Sequence, residues 1–203
     1  LNLTNKLMRV FLFLICISLH TPCFSQNWTT VLPGQSIQTI SADKQNNLYV
    51  STNSRKAFKS TNDGSNWAEL PLTLSSPITQ FAFDTIGTAG NLYGAAGNVG
   101  LVKSSNGGQN WSIIDTSRLF GSSVISIACS KNGILHLATN KGYMRSTNAG
   151  NSFELLLSDI VFTSVLVDKD NQTIIYIGSS SGKASLRGFY RSTNGGATFS
   201  ENL

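Results

Sequence analysis

The chain has 203 residues, of which 40% are hydrophobic and only 12% charged, and it carries a net charge of +5 at pH 7. So few charges exclude a disordered polyampholyte and a long solvent-exposed helix or coiled coil, because both depend on many charged side chains. Eighteen glycines against four prolines, with Ser, Thr and Asn between short apolar runs, predict an all-β chain of short strands joined by tight turns.

The first element in chain order is an address. Lys6 and Arg9 precede an apolar run over 10–19, and the small residues Cys23 and Ser25 flank Phe24. A signal peptidase reads that order of segments, so residues 1–25 are expected as an export signal cut between Ser25 and Gln26. An apolar run of this length spans only about 15 Å as a helix, roughly half a bilayer core, so no stable membrane span is expected. The processed protein is then secreted, periplasmic or displayed at the cell surface. Loss of two cations lowers its charge from +5 to +3, and loss of Cys16 and Cys23 leaves Cys129. Cys129 lies in the apolar stretch 125–129, where a small buried side chain is expected rather than a nucleophile. Basic residues stand singly, without interleaved aromatics, so no nucleic-acid partner is expected.

Residues 26–203 then repeat. Residues 27–32 read as a strand without its neighbours, and sets of strands follow at about 36–72, 78–116, 124–158 and 162–203. Each set contains one nine-residue turn: 59–67, 103–111, 145–153 and 191–199, with starts 44, 42 and 46 residues apart. A period of roughly 40–45 residues with several strands per period marks propeller blades. The first position of the turn is basic (Lys59, Lys103, Arg145, Arg191) and the second is Ser60, Ser104, Ser146 or Ser192. The fourth is Asn62, Asn106, Asn148 or Asn194, and the sixth Gly64, Gly108, Gly150 or Gly196. Trp67, Trp111, Phe153 and Phe199 close the segment. Ser and Asn side chains bond backbone groups a few residues on, and the glycine permits the left-handed backbone that a tight bend needs.

This pattern resembles the Asp-box, or BNR repeat, of sialidases and other secreted β-propellers, among them photosystem II assembly factors and sortilin-type ectodomains. All four copies carry Asn where the repeat usually has Asp; four aspartates there would take the net charge from +5 to +1. The resemblance implies four-stranded antiparallel blades, with the turn joining the third and fourth strands away from the active face. Four blades fit an incomplete ring whose last blade is completed by residues 27–32; a compact four-bladed ring is the alternative. An unclosed ring leaves apolar faces wet, so this piece alone is expected to aggregate or partly unfold.

A sialidase, as the resemblance implies, needs an arginine trio, a Tyr–Glu nucleophile pair and an acid/base Asp. Arg145 and Arg191 fill the repeated basic position, while Asp43, Asp84 and Asp168 share one recurring turn. No catalytic, cofactor-binding or metal-ligating set is therefore expected. His136 falls where Tyr49, Tyr93 and Tyr176 fall, as a packing ring. The largest departure from the repeat is the extra length over 179–188, where Lys183 and Arg187 form a possible ligand loop. The expected function is that of an exported, non-catalytic binding or scaffold module for carbohydrate or protein. The alternative is part of a secreted glycoside hydrolase, sialidase-like or xyloglucanase-like, with its catalytic residues largely outside this stretch.

Overall fold

Each period holds apolar residues at alternating positions, and each folds as the antiparallel meander that such alternation favours. The computed structural model describes residues 30–84 and 90–200. The first blade is β1 (Ile37–Ala42), β2 (Leu48–Thr52), β3 (Ala57–Ser60) and β4 (Ala68–Glu69). The second is β5 (Gln80–Phe83), β6 (Leu92–Ala95), β7 (Leu101–Ser104) and β8 (Ser112–Ile114). The third is β9 (Val124–Cys129), β10 (Leu135–Thr139), β11 (Gly142–Ser146) and β12 (Glu154–Ser158). The fourth has β13 (Phe162–Val167), β14 (Ile175–Ser179) and β15 (Gly188–Ser192). Its outer strand begins as a single bridge between Arg191 and Ser200. Strands pair in sequence order within every blade.

The register repeats as well. Tyr49 pairs with Lys59, Tyr93 with Lys103, His136 with Arg145 and Tyr176 with Arg191. A strand can slip only in steps that keep its apolar face inward, so this shared register shows four copies of one unit.

Both faces of the inner blades are apolar because each blade packs against two neighbours. Tyr49, Ala57 and Leu70 of the first blade meet Ile78, Phe81 and Val102 of the second. Tyr93, Leu101 and Ile114 meet Ile127, Leu137 and Met144 of the third. Tyr143 and Ala138 meet Phe162, Val165 and Ile177 of the fourth. The first strands β1, β5, β9 and β13 lie side by side in that order. Four antiparallel blades stacked face to face in this way form a β-propeller.

The expected signal segment 1–25 and its cleavage point at Ser25 and Gln26 lie outside the described residues. So does half of the expected closing strand 27–32; Val31 and Leu32 form a bend ahead of β1. Cys129 is partly buried against the core between blades two and three. Burial and the Asp84 carboxylate push its thiol up to about 12.

Candidate functional site

The meander puts two kinds of connection at opposite ends of the blades. One end, the turn end, carries the β1–β2 type bends and the nine-residue turns. The other, the loop end, carries the β2–β3 type bends and the links between blades.

At the turn end the same bonds recur. The Ser60 hydroxyl donates to Asn62 Oδ1 (3.0 Å) and accepts from the Gly64 N–H (2.9 Å), and Asn62 Oδ1 accepts from the Asn66 N–H (2.9 Å). Ser104 and Asn106 do the same with Gly108 (2.9 Å) and Asn110 (2.8 Å). Ser146 and Asn148 serve Gly150 (2.9 Å) and Ser152 (2.9 Å), and Ser192 and Asn194 serve Gly196 (2.9 Å) and Thr198 (3.0 Å). Trp67 and Trp111 add a bond from Nε1 to the carbonyls of Gly64 (3.0 Å) and Gly108 (2.9 Å), which Phe153 and Phe199 cannot make. These polar atoms are therefore engaged in the fold itself. Gly196 shows how tightly: at φ +77°, an added Cβ would stand 2.0 Å from the Tyr143 hydroxyl oxygen.

A second device joins the blades. The basic first residue of each turn reaches the fifth-position carbonyl of the next blade's turn. Lys59 Nζ donates to Gly107 O (3.3 Å), Lys103 Nζ to Ala149 O (2.9 Å) and Arg145 Nη1 to Gly195 O (3.3 Å). The fifth positions are left-handed in all four turns, with φ of 54° at Asp63, 67° at Gly107, 56° at Ala149 and 69° at Gly195. That twist turns each of the three bonded carbonyls toward the preceding blade. Lys59 and Lys103 also stand over the rings of Tyr49 (5.2 Å) and Tyr93 (5.7 Å), a cation–π geometry.

The junction between blades three and four varies this theme. His136 replaces the tyrosine, and its Nδ1 bonds the Tyr143 hydroxyl (2.7 Å). Burial, and secondarily the Arg145 guanidinium, lower the His136 pKa from 6.5 to about 4, so the ring is neutral at pH 7. His136 Nε2 and Arg145 Nε are both buried without a hydrogen-bond partner.

Of the recurring carboxylates, Asp43 accepts from the backbone N–H groups of Gln45 and Asn47 (both 2.9 Å). Asp168 likewise caps Asp170 (2.9 Å) and Asn171 (2.8 Å), and these backbone bonds hold its carboxyl below the usual range. Asp84 accepts from Asn91 Nδ2 (3.2 Å). Asp43 and Asp84 border one groove of about 460 Å³ at the turn end, together with Tyr49 and Lys59.

The loop end is irregular. A groove of about 590 Å³ lies between the β2–β3 bend, with Arg55 and Lys56, and the link to blade two, with Thr73 and Ser75. Lys56 pairs with Glu69 (2.9 Å) across half-exposed side chains, a pair of small energetic weight. Arg55 stands at φ 67°, and its guanidinium has no hydrogen-bond partner among the described residues. The expected ligand loop is also here. Arg187 folds back, Nε donating to Ser181 O (2.7 Å) and Nη2 to Gly182 O (3.4 Å), and so closes its own loop. Lys183 lies ahead of the short 3-10 turn Ala184–Leu186 with its ammonium group unbonded among the described residues. Sequence reasoning missed Arg55, whose signal was a cation at a bend between two strands. It also missed the inter-blade bonds, whose signal was the basic residue kept at the first position of all four turns.

Among the described residues no cluster of three or more His, Cys, Asp or Glu could hold a metal ion. Nor is any described helix long and apolar enough to cross a membrane.

The blades and their end loops define a β-propeller protein. No protein-family model matches the chain, and no curated protein matches it in sequence. Solved structures match it in fold. A GH74 enzyme of Niastella koreensis is 24% identical with a TM-score of 0.64, over 83% of this chain and 30% of that one. YCF48, solved bound to a D1 peptide, is 15% identical with a TM-score of 0.63, over 88% of this chain and 59% of that one. PorZ is a bacterial surface component of the type-IX secretion system of Porphyromonas gingivalis. It is 14% identical with a TM-score of 0.56, over 89% of this chain and 29% of that one. The chain thus spans less than two thirds of each of these neighbours, and the likeness is one of fold.

Proposed function

We propose that the chain is an exported, non-catalytic β-propeller of the Asp-box type that binds a carbohydrate or protein partner at its loop end. The observation that carries this reading is the contrast between the ends. The repeated Ser, Asn and basic side chains at the turn end are engaged in holding blades, apart from Arg191. The groove beside Arg55, and the Lys183 loop, keep polar groups free for a partner. A few oriented polar groups beside a concave surface are the ordinary equipment of a binding site. The segment over 1–25 supports export. Probing glycan and peptide arrays with the processed chain, 26–203, tests the reading: the expected result is binding that Arg55→Ala with Lys183→Ala weakens without loss of fold.

A second reading, part of a glycoside hydrolase, is favoured by Asp43 and Asp84 bordering the same groove, since glycosidases work with a facing carboxylate pair. Against it, Asp43 is held by two backbone N–H groups and by Asn47 Nδ2 (2.8 Å), as a turn cap is. Turnover of a fluorogenic sialoside or a xyloglucan oligosaccharide, lost in Asp84→Asn, would establish the enzyme and remove the binding-module reading.

A further inference from the structure

The links between blades anchor themselves with apolar side chains that turn inward. Leu74 in the link to blade two and Ile160 in the link to blade four are buried, and Leu119 is fully buried in the link to blade three (115–123). The next residue behaves otherwise. Phe120 caps the C-terminus of the short 3-10 turn Thr116–Leu119 in the left-handed conformation, at φ 54°, and is 53% exposed. Glycine is the ordinary residue at such a cap, and a larger one is strained because its Cβ crowds the following carbonyl. The link to blade four places Asp159 at its left-handed position (φ 62°), a residue type that tolerates this region better. Phe120 therefore combines a strained backbone with a wetted ring, in a link that Leu119 already anchors.

The surroundings of the ring are polar and held in place. The Phe120 carbonyl accepts from Lys141 Nζ (3.2 Å), which ties the link to the β10–β11 bend. Three residues on, Ser123 stands between two amides. Its N–H donates to Asn140 Oδ1 (2.8 Å) and its hydroxyl donates to Asn98 Oδ1. The Asn140 N–H in turn donates to the Ser123 carbonyl (3.2 Å). Asn98 belongs to the β6–β7 bend and Asn140 to the β10–β11 bend, so three connections of the loop end meet here. Both asparagines are exposed. Each amide is oriented through its oxygen, and neither Nδ2 group has a partner among the described residues.

We propose that Phe120, Asn98 and Asn140 form a carbohydrate subsite, in which a neutral pyranose ring stacks on Phe120 and its hydroxyls accept from the two Nδ2 groups. The inference rests on the reading of the loop end as the recognition end, and it selects one of the two partner classes. A pyranose presents polarised C–H groups on one face and hydroxyls around its rim. The face of an aromatic ring is electron-rich and suits the first, and amide donors already fixed in direction suit the second. A sugar is favoured over a protein because Phe120 is the exposed large hydrophobic residue of this link and its two bends, whereas the core of a protein interface is a continuous apolar patch. A neutral sugar is favoured because the charged groups here are bonded to backbone. Lys141 holds the Phe120 carbonyl, Arg118 holds the Asn151 carbonyl, and Asp115 accepts from the N–H groups of Ser117 and Arg118.

Calorimetric titration of the processed chain, 26–203, with cellohexaose, xylohexaose and mannohexaose tests the proposal, with a thermal melt of each variant alongside. At least one of the three is expected to bind. Phe120→Gly weakens that binding by about tenfold or more and melts within about 2 °C of the wild type, because glycine accepts the left-handed backbone without strain. Phe120→Trp retains the binding. Asn98→Asp with Asn140→Asp keeps the acceptors that hold Ser123 and removes both donors, and weakens binding by about fivefold. Hexasaccharide binding unchanged in Phe120→Gly would overturn the subsite and leave the loop-end reading standing. So would a Phe120→Gly melt many degrees below the wild type, which would assign the ring to the fold. A chain that binds peptides on an array and none of the three sugars would overturn the choice of carbohydrate. A chain that binds neither would end both readings.

Discussion

The two ends of the propeller handle polar groups in opposite ways. At the turn end each Ser, Asn and Gly recurs at a fixed position, and each makes the same bond within its turn. At the loop end the bends differ from blade to blade: one holds Arg55 at positive φ, another carries Lys141, and the fourth expands into the loop closed by Arg187. Repetition thus marks the groups that build the sheet stack, and departure from it marks the end that we propose for recognition. Substitutions at the turn end should change stability and those at the loop end should not.

The largest effect is expected where two turn-end constraints coincide. Gly196→Ala places a Cβ on the Tyr143 hydroxyl at a positive φ, and overpacking with left-handed strain should cost about 3 kcal/mol or more. The neighbouring Gly195→Ala meets nothing within 4 Å and should cost about 1 kcal/mol, as alanine is already tolerated at Ala149. Urea denaturation of the two variants gives the difference directly.

The next effect depends on pH. His136 titrates near 4 in the folded protein and near 6.5 when unfolded. Between those values the unfolded chain binds the additional proton, so stability falls as pH drops from 6.5 to 4, by about 3 kcal/mol in total. His136→Gln keeps a partner for Tyr143 and should flatten that slope; an unchanged slope would place the titrating group elsewhere.

Smaller losses follow from single fastenings. Lys103→Met removes the bond to the Ala149 carbonyl and the contact over Tyr93 and should lower stability by about 1–2 kcal/mol. Trp67→Phe deletes the bond to the Gly64 carbonyl together with the indole atoms that lie against Gly64 and should cost about 1 kcal/mol, turning the first turn into the kind found at Phe153. At the loop end, Arg55→Ala with Lys183→Ala should leave stability within about 0.5 kcal/mol. A loss of several times that size would erase the contrast between the ends.

The sequence announces the turn end more fully than the loop end. The four nine-residue segments locate every β3–β4 type connection, and the alternation in Ile175-Tyr176-Ile177 or Leu135-His136-Leu137 places the second strands. Chain-local bonds follow from chain-local patterns, so Ser60, Asn62 and Gly64 can be assigned roles before any coordinates. The fastening from Lys59 to Gly107 joins residues 48 apart, and local pattern cannot show that it exists. Only the persistence of a cation at the first position hints at it. His136 is similar: its alignment with Tyr49 marks it as a packing ring, but the unpartnered Nε2 depends on what the neighbouring blade presents. Lys183 and Arg187 look equivalent in sequence, yet the expanded loop consumes one guanidinium in closing itself and leaves the ammonium group unbonded among the described residues. Composition cannot anticipate which of two cations a loop will use.

The claim that the turns serve the fold and recognition occurs elsewhere is tested most directly by changing Asn62, Asn106, Asn148 and Asn194 to Asp together. The measurement is the array-binding profile of that variant once its near-ultraviolet spectrum matches the wild type. Aspartate keeps the acceptor that Ser60 and the Asn66 N–H use, so an unchanged profile is predicted despite four added negative charges. A folded variant that has lost its partner would contradict the account and place recognition in the turns themselves.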